Sequence, residues 1–107
     1  MDIATYAKEV QRTCDIKDQR ERLILSALGI AGEGGEIVDL LKKSLYHSHD
    51  LDTSDLCKEL GDLLWYMTLL SESVGLTLED IMQANVTKLR QRYPDGFDPQ
   101  RSKNREE

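Results

Sequence analysis

Two pairs of acids carry the chemical interest of this chain. Glu33 and Glu36 lie in GIAGEGGEIVD, residues 29–39, and Glu59 and Asp62 lie in KELGDLLWY. Each pair reads acid, two residues, acid, and on a helix that spacing sets two side chains about 5–6 Å apart on one flank. Carboxylates that converge from two helices either raise one another's pKa or recruit a cation. All-oxygen donors select hard ions, Mg²⁺ or Mn²⁺, over zinc or copper. Gly32, Gly34 and Gly35 each weaken a helix interior by up to about 1 kcal/mol relative to alanine. Their expected role is to clear bulk beside the acids, where a neighbouring backbone, a metal or a substrate can sit. One such acid pair is commonplace on a charged helix; two in matching orientation, with 22 residues between them, are not. A di-iron carboxylate bundle would need Glu-x-x-His on two helices. The two histidines, His47 and His49, instead share a polar link and are expected to be exposed.

The elements that must position these acids are helices. At 107 residues the chain has the length of one domain. Apolar residues make up 39% and charged residues 32%, with 2 prolines, which suits an all-α protein. Apolar spacings of three and four mark a first segment, Ile3 to about Cys14, and a second, about Arg20 to Tyr46, striped by Leu23, Ala27, Ile30, Ile37, Leu41 and Leu45. A third starts at Asp52 or Thr53, either of which can cap it, and ends at Gly75. Its stripe of Leu56, Leu60, Leu63, Leu64, Met67 and Leu70 is widened by Trp65, Tyr66 and Leu69, which places it centrally. A fourth starts in the shortened capping box of Thr77 and Asp80 and ends before Pro94. Both acid pairs fall on the same flank of an apolar seam, so antiparallel packing of the second and third helices brings four carboxylates together.

The fourth helix carries a second constellation. Asn85 falls on its inward stripe between Met82 and Leu89, where the pattern asks for an apolar side chain, and a buried amide needs partners. With Lys88, Arg90 and Arg92 it reads as a phosphate clamp. Net charge is −6, with 20 acids and 14 bases, which argues against a nucleic-acid polymer or an anionic membrane surface as partner. A phosphate ligand remains compatible if divalent cations stand between it and the acids. No apolar run reaches the length of a membrane span and the N-terminus shows no secretory pattern, so a cytoplasmic location is expected. Cys14 and Cys57 lack CxxC spacing and are assigned no chemistry. The domain is expected to span residues 1–97, and 98–107 to form a charged, turn-like, flexible tail.

GEGGEIVDLLKK and KELGDLLWYMTLLSESVGLTLEDIMQANVTKLRQRYPDGF together resemble the MazG-like nucleoside triphosphate pyrophosphohydrolases of the all-α NTP pyrophosphatase superfamily, over roughly residues 20–97. Glu33, Glu36, Glu59 and Asp62 match the family's ExxE and ExxD elements. Asn85, Lys88 and Arg92 to Phe97, including Tyr93, match its downstream asparagine, lysine and Arg-Tyr-Pro-x-Gly-Phe elements. The resemblance implies a short single-domain form: a four-helix bundle that completes its core by homo-oligomerisation, as a homodimer or dimer of dimers. It implies Mg²⁺-dependent cleavage of an NTP or dNTP to the monophosphate and pyrophosphate, often for nucleotide-pool cleansing. In that reading the four acids hold the metal. One of them also takes a proton; Glu33 is the candidate base, though any of the four could serve. Lys88, Arg92 and Lys43 meet the distal phosphates, Asn85 meets the sugar or a phosphate, and Trp65 or Tyr66 stacks on a base unless it belongs to the core. Two other readings stay open: a phosphoribosyl-ATP pyrophosphohydrolase-like enzyme, and a non-catalytic helical dimerisation module.

Overall fold

Every long helix begins at an oxygen-bearing side chain that caps it. In the computed structural model, which describes residues 1–103, the chain forms α1 (Ile3–Thr13), α2 (Gln19–Tyr46), α3 (Thr53–Ser73), α4 (Leu78–Arg92) and a short α5 (Pro99–Lys103). Asp2, Asp18 and Asp52 accept backbone N–H groups from the first turns of α1, α2 and α3. Asp52 is therefore the cap of α3, and Thr77 and Asp80 cap one another's backbone in a reciprocal box. Each cap contributes about 1 kcal/mol. The ends of α2 and α3 are turned by left-handed residues, Ser48 at φ 58° and Gly75 at φ 80°. The His49 N–H then reaches back to the Lys43 carbonyl at 3.2 Å, and the Leu76 N–H to that of Ser71 at 2.9 Å.

As the width of its stripe suggests, α3 is central and packs against α1, α2 and α4. Val10, Cys14 and Leu69 form the buried core, with Tyr6, Ile16, Leu25 and Trp65 packed against it. The stripe expected of α1 is thus buried at Val10 and Cys14 and half-buried at Ile3 and Ala7. That of α2 is only half covered: Ile30 and Ile37 are half-buried, whereas Leu41 and Leu45 are exposed. Its cover comes chiefly from α3, which at 21 residues and 1.5 Å per residue runs about 32 Å, against about 42 Å for the 28 residues of α2.

Among the described residues the inward stripe expected of α4 is covered only at its start, where Leu78 is half-buried. Every residue from 79 to 91 is exposed, Asn85 among them, so the amide is not buried as the pattern suggested. Ile81, Met82, Val86 and Leu89 share that exposure. The radius of gyration is 17.0 Å, against about 13 Å for a compact domain of this length. The tail also departs from expectation, because Pro99–Lys103 is helical rather than turn-like. Asp98 accepts the Gln100 N–H at 2.9 Å and proline occupies the first position, where its missing N–H loses nothing. Residues 104–107 of the expected tail lie outside the described residues. Among the described residues there is no strand beyond an isolated Pro94–Gly96 bridge, and no helix is long and apolar enough to cross a membrane.

Candidate metal centre

The site grows from one close helix crossing. Tyr66 of α3 lies against Gly29 of α2 so closely that a Cβ on Gly29 would meet three ring atoms at 2.3–2.4 Å. One turn further along α2 is Glu33, and one turn back along α3 is Asp62, with Glu59 three residues before it. The helices run antiparallel at this crossing, so the acids meet. One oxygen each from Glu33, Glu59 and Asp62 lies within 4.8 Å of the other two. Three of the four expected acids therefore converge. Glu36 is exposed and stands outside that group.

The cluster is electrostatically stressed. The Glu33 carboxyl is pushed up to about 7, first by a proton shared with the Glu59 carboxylate, then by burial, then by the charges of Asp62, Glu59 and Glu36. Its Oε2 is shut off from solvent and has no hydrogen-bond partner. A buried acceptor without a donor is costly, and rare enough to ask for an explanation. A hard divalent cation supplies one. The donor set is all oxygen, carries compensating negative charge, and includes an atom whose lone pairs are unused.

Beside the acids is an open recess of about 290 Å³ lined by Glu33, Asp62, Trp65 and Tyr66. The two aromatic rings meet edge to face, 5.1 Å apart and at 84°. Trp65 is half-buried, and its Nε1–H donates to Thr13 Oγ1 at 2.8 Å, which ties the indole to α1. Tyr6, also on α1, directs its hydroxyl to the Gly61 carbonyl at 3.5 Å. Burial and the charge of Asp62 raise its pKa. The sequence reading gave Tyr6 no part here; its only signal was a place beside the α1 stripe.

Of the alternatives for the glycines, the neighbouring backbone is corrected: a Cβ at Gly32, Gly34 or Gly35 would meet nothing within 4 Å, so among the described residues no neighbouring helix approaches them and the space beside them is open. The close approach occurs at Gly29. Lys43, one of the expected phosphate contacts, stands away from the acids. Lys43 pairs with Asp39 at 3.0 Å, and on α2 it stands ten residues, about 15 Å, beyond Glu33. Asn85 and Lys88 are on the exposed α4, and the Arg92 guanidinium lies over the Tyr93 ring at 5.9 Å. His47 and His49 are exposed, as expected, and line a separate recess with Asp39, Lys42 and Lys43.

The architecture thus defines a class, an all-α chain whose two longest helices present converging carboxylates to one open recess. Residues 20–97 match the MazG nucleotide pyrophosphohydrolase domain, and the chain belongs to that family. A relative, the Gene 37 protein of Mycobacterium phage L5, is 35% identical over 83 residues, covering 74% of this chain and 73% of the phage protein. No solved structure matches the chain.

Proposed function

We propose that the chain is a Mg²⁺-dependent nucleoside triphosphate pyrophosphohydrolase, with Mn²⁺ able to substitute, that cleaves an NTP or dNTP to the monophosphate and pyrophosphate. The observation that carries this reading is the unpartnered Glu33 Oε2 with Glu59 and Asp62 oxygens within 4.8 Å, in a chain of the MazG family. Glu33, Glu59 and Asp62 would hold the cation, with Glu36 as the fourth acid. Bound there, the ion supplies charge neutralisation on phosphoryl oxygens and a lowered pKa for water. Glu33 is the proposed base because, with Asp62, it lines the recess in which a water and a substrate would meet.

Asn85, Lys88, Arg92 and Tyr93 would serve the sugar and phosphates, as would Lys43, once a second copy covers the exposed apolar face of α4. A homodimer or dimer of dimers is therefore part of the proposal, supported by the exposure of Ile81, Met82, Val86 and Leu89. Nucleotide-pool cleansing in the cytoplasm is the role that fits a single catalytic domain of this family. The same exposed faces would also suit a dimerisation module without catalysis. Such a module gives no reason for an orphaned carboxylate oxygen.

The test is product analysis. Each NTP and dNTP, and phosphoribosyl-ATP, is incubated with the chain in Mg²⁺ or in EDTA. Monophosphate plus pyrophosphate, lost in EDTA, is the expected result. Orthophosphate plus diphosphate contradicts it, turnover confined to phosphoribosyl-ATP moves the chain to that relative's reaction, and no turnover favours the dimerisation module.

A further inference from the structure

We propose that Gly29, acting through Tyr66, sets the depth of the recess beside the acid cluster and so determines the size of the heteroaromatic ring the site accepts. The proposal rests on the nucleotide reading above and adds to it a specificity-determining position on the opposite helix. Three observations carry it. Tyr66 lines the recess together with Glu33, Asp62 and Trp65, so any shift of its ring changes the cavity. The ring keeps its present seat only because residue 29 has no side chain: Cγ, Cδ1 and Cε1 all lie 2.3–2.4 Å from where a Cβ would be. Contacts that short do not occur, so any other residue at 29 must move the ring. Trp65 blocks one way out, because its indole is tied to Thr13 at 2.8 Å and stands edge-on to Tyr66 at 5.1 Å. The open side that remains is the recess itself.

The chemistry of the lining names what is measured there. One wall is carboxylate and the other is a pair of aromatic faces. A ligand that meets a cation at the acids and extends a flat, uncharged ring toward Trp65 and Tyr66 would use both. A nucleobase is such a ring, and purine and pyrimidine differ in the dimension the Tyr66 ring controls. Glycine at 29 therefore acts at a distance from the phosphates. It leaves cation binding alone and sets only the room for the base.

The experiment uses non-hydrolysable α,β-methylene analogues of one purine and one pyrimidine triphosphate, with inorganic tripolyphosphate as a probe that has no ring. Affinities are measured by calorimetry in Mg²⁺ for the wild-type chain, Gly29→Ala, Tyr66→Ala and the double variant, with helicity checked by circular dichroism. Gly29→Ala is expected to weaken the purine relative to the pyrimidine by about tenfold, the scale on which small changes in an apolar pocket discriminate, and to leave tripolyphosphate unchanged. Tyr66→Ala is expected to shift the ratio the other way. The double variant is expected to behave as Tyr66→Ala alone, because the three atoms nearest the added methyl group all belong to the ring that is removed. That non-additivity separates the crossing from two independent effects. An unchanged purine-to-pyrimidine ratio in folded Gly29→Ala, or a double variant equal to the sum of the single ones, overturns the proposal. Should Gly29→Ala fail to fold, the ratio in Tyr66→Ala and the double variant decides, and no shift in either overturns it. Absence of nucleotide binding by the wild-type chain overturns the functional reading and this proposal together. Binding with an unaltered ranking overturns this proposal alone.

Discussion

Helices α3 and α4 are neighbours in sequence, are both capped and both carry an apolar stripe, yet they meet different fates. On α3 it is Leu69, beside the expected stripe, that is buried with Thr68 and Ser71, and Glu59 and Asp62 stand against Glu33, although Leu60, Leu64 and Met67 of the stripe itself are exposed. On α4 no residue is buried, although Ile81, Met82 and Leu89 are as apolar as their α3 counterparts. The difference lies in what each helix finds to pack on. The acid cluster can be assembled by one chain because α2 and α3 cross at a glycine. The proposed phosphate contacts on α4 belong to a helix that is exposed from residue 79 to 91. In the function proposed above the acids are gathered within one chain and the α4 contacts depend on a second copy, so the two halves should fail in different ways.

The largest effect should come from the α3 half. Glu59→Gln removes a charge from the cluster and should lower pyrophosphate release by at least about 10²-fold, equivalent to several kcal/mol of charge stabilisation. Steady-state assays in Mg²⁺ measure this, and near-wild-type turnover would break the comparison at its stronger end. In the fold itself, Leu69→Ala should cost about 2–5 kcal/mol in urea denaturation. Leu45→Ala, at a site 72% exposed, should change stability by no more than about 0.5 kcal/mol. Leu89→Glu should leave Mg²⁺ binding intact, shift light-scattering mass toward the monomer and reduce activity with it. An active monomer would show that α4 needs no cover.

The smallest effect concerns protons. Glu33 keeps its proton to about 7 in the folded chain, against an ordinary value of 4.5. The folded state thus binds the proton more tightly than the unfolded state does. Its contribution is complete below about 4.5 and is lost as pH rises through about 7. The midpoint of thermal unfolding in EDTA should therefore fall across that window. Mg²⁺ should restore it, and Glu33→Gln should flatten the slope.

Much of this was legible in the chain itself. Helix limits followed from apolar spacing and from Asp52, Thr77 and Gly75, because local capping chemistry does not depend on distant contacts. The acids were legible because their spacing encodes a shared flank. The identity of the close glycine was not, since GIAGEGG offers several candidates and only the position of Tyr66 selects Gly29. The exposure of Asn85 was not legible either, because an apolar stripe specifies that a face will be covered without naming the cover. The helix at Pro99 was signalled by Asp98 and proline, and the charged composition of the tail hid it.

The contribution of α1 bears on where this protein can be cut. The segment that matches the MazG domain starts at residue 20, but Val10 and Cys14 fill the space against Leu69, and Thr13 holds the indole of Trp65. A fragment trimmed to the recognisable boundary would retain every proposed metal ligand and lose two of the three side chains in its buried centre. It would be expected to aggregate, and its silence in an assay would say nothing about the acids.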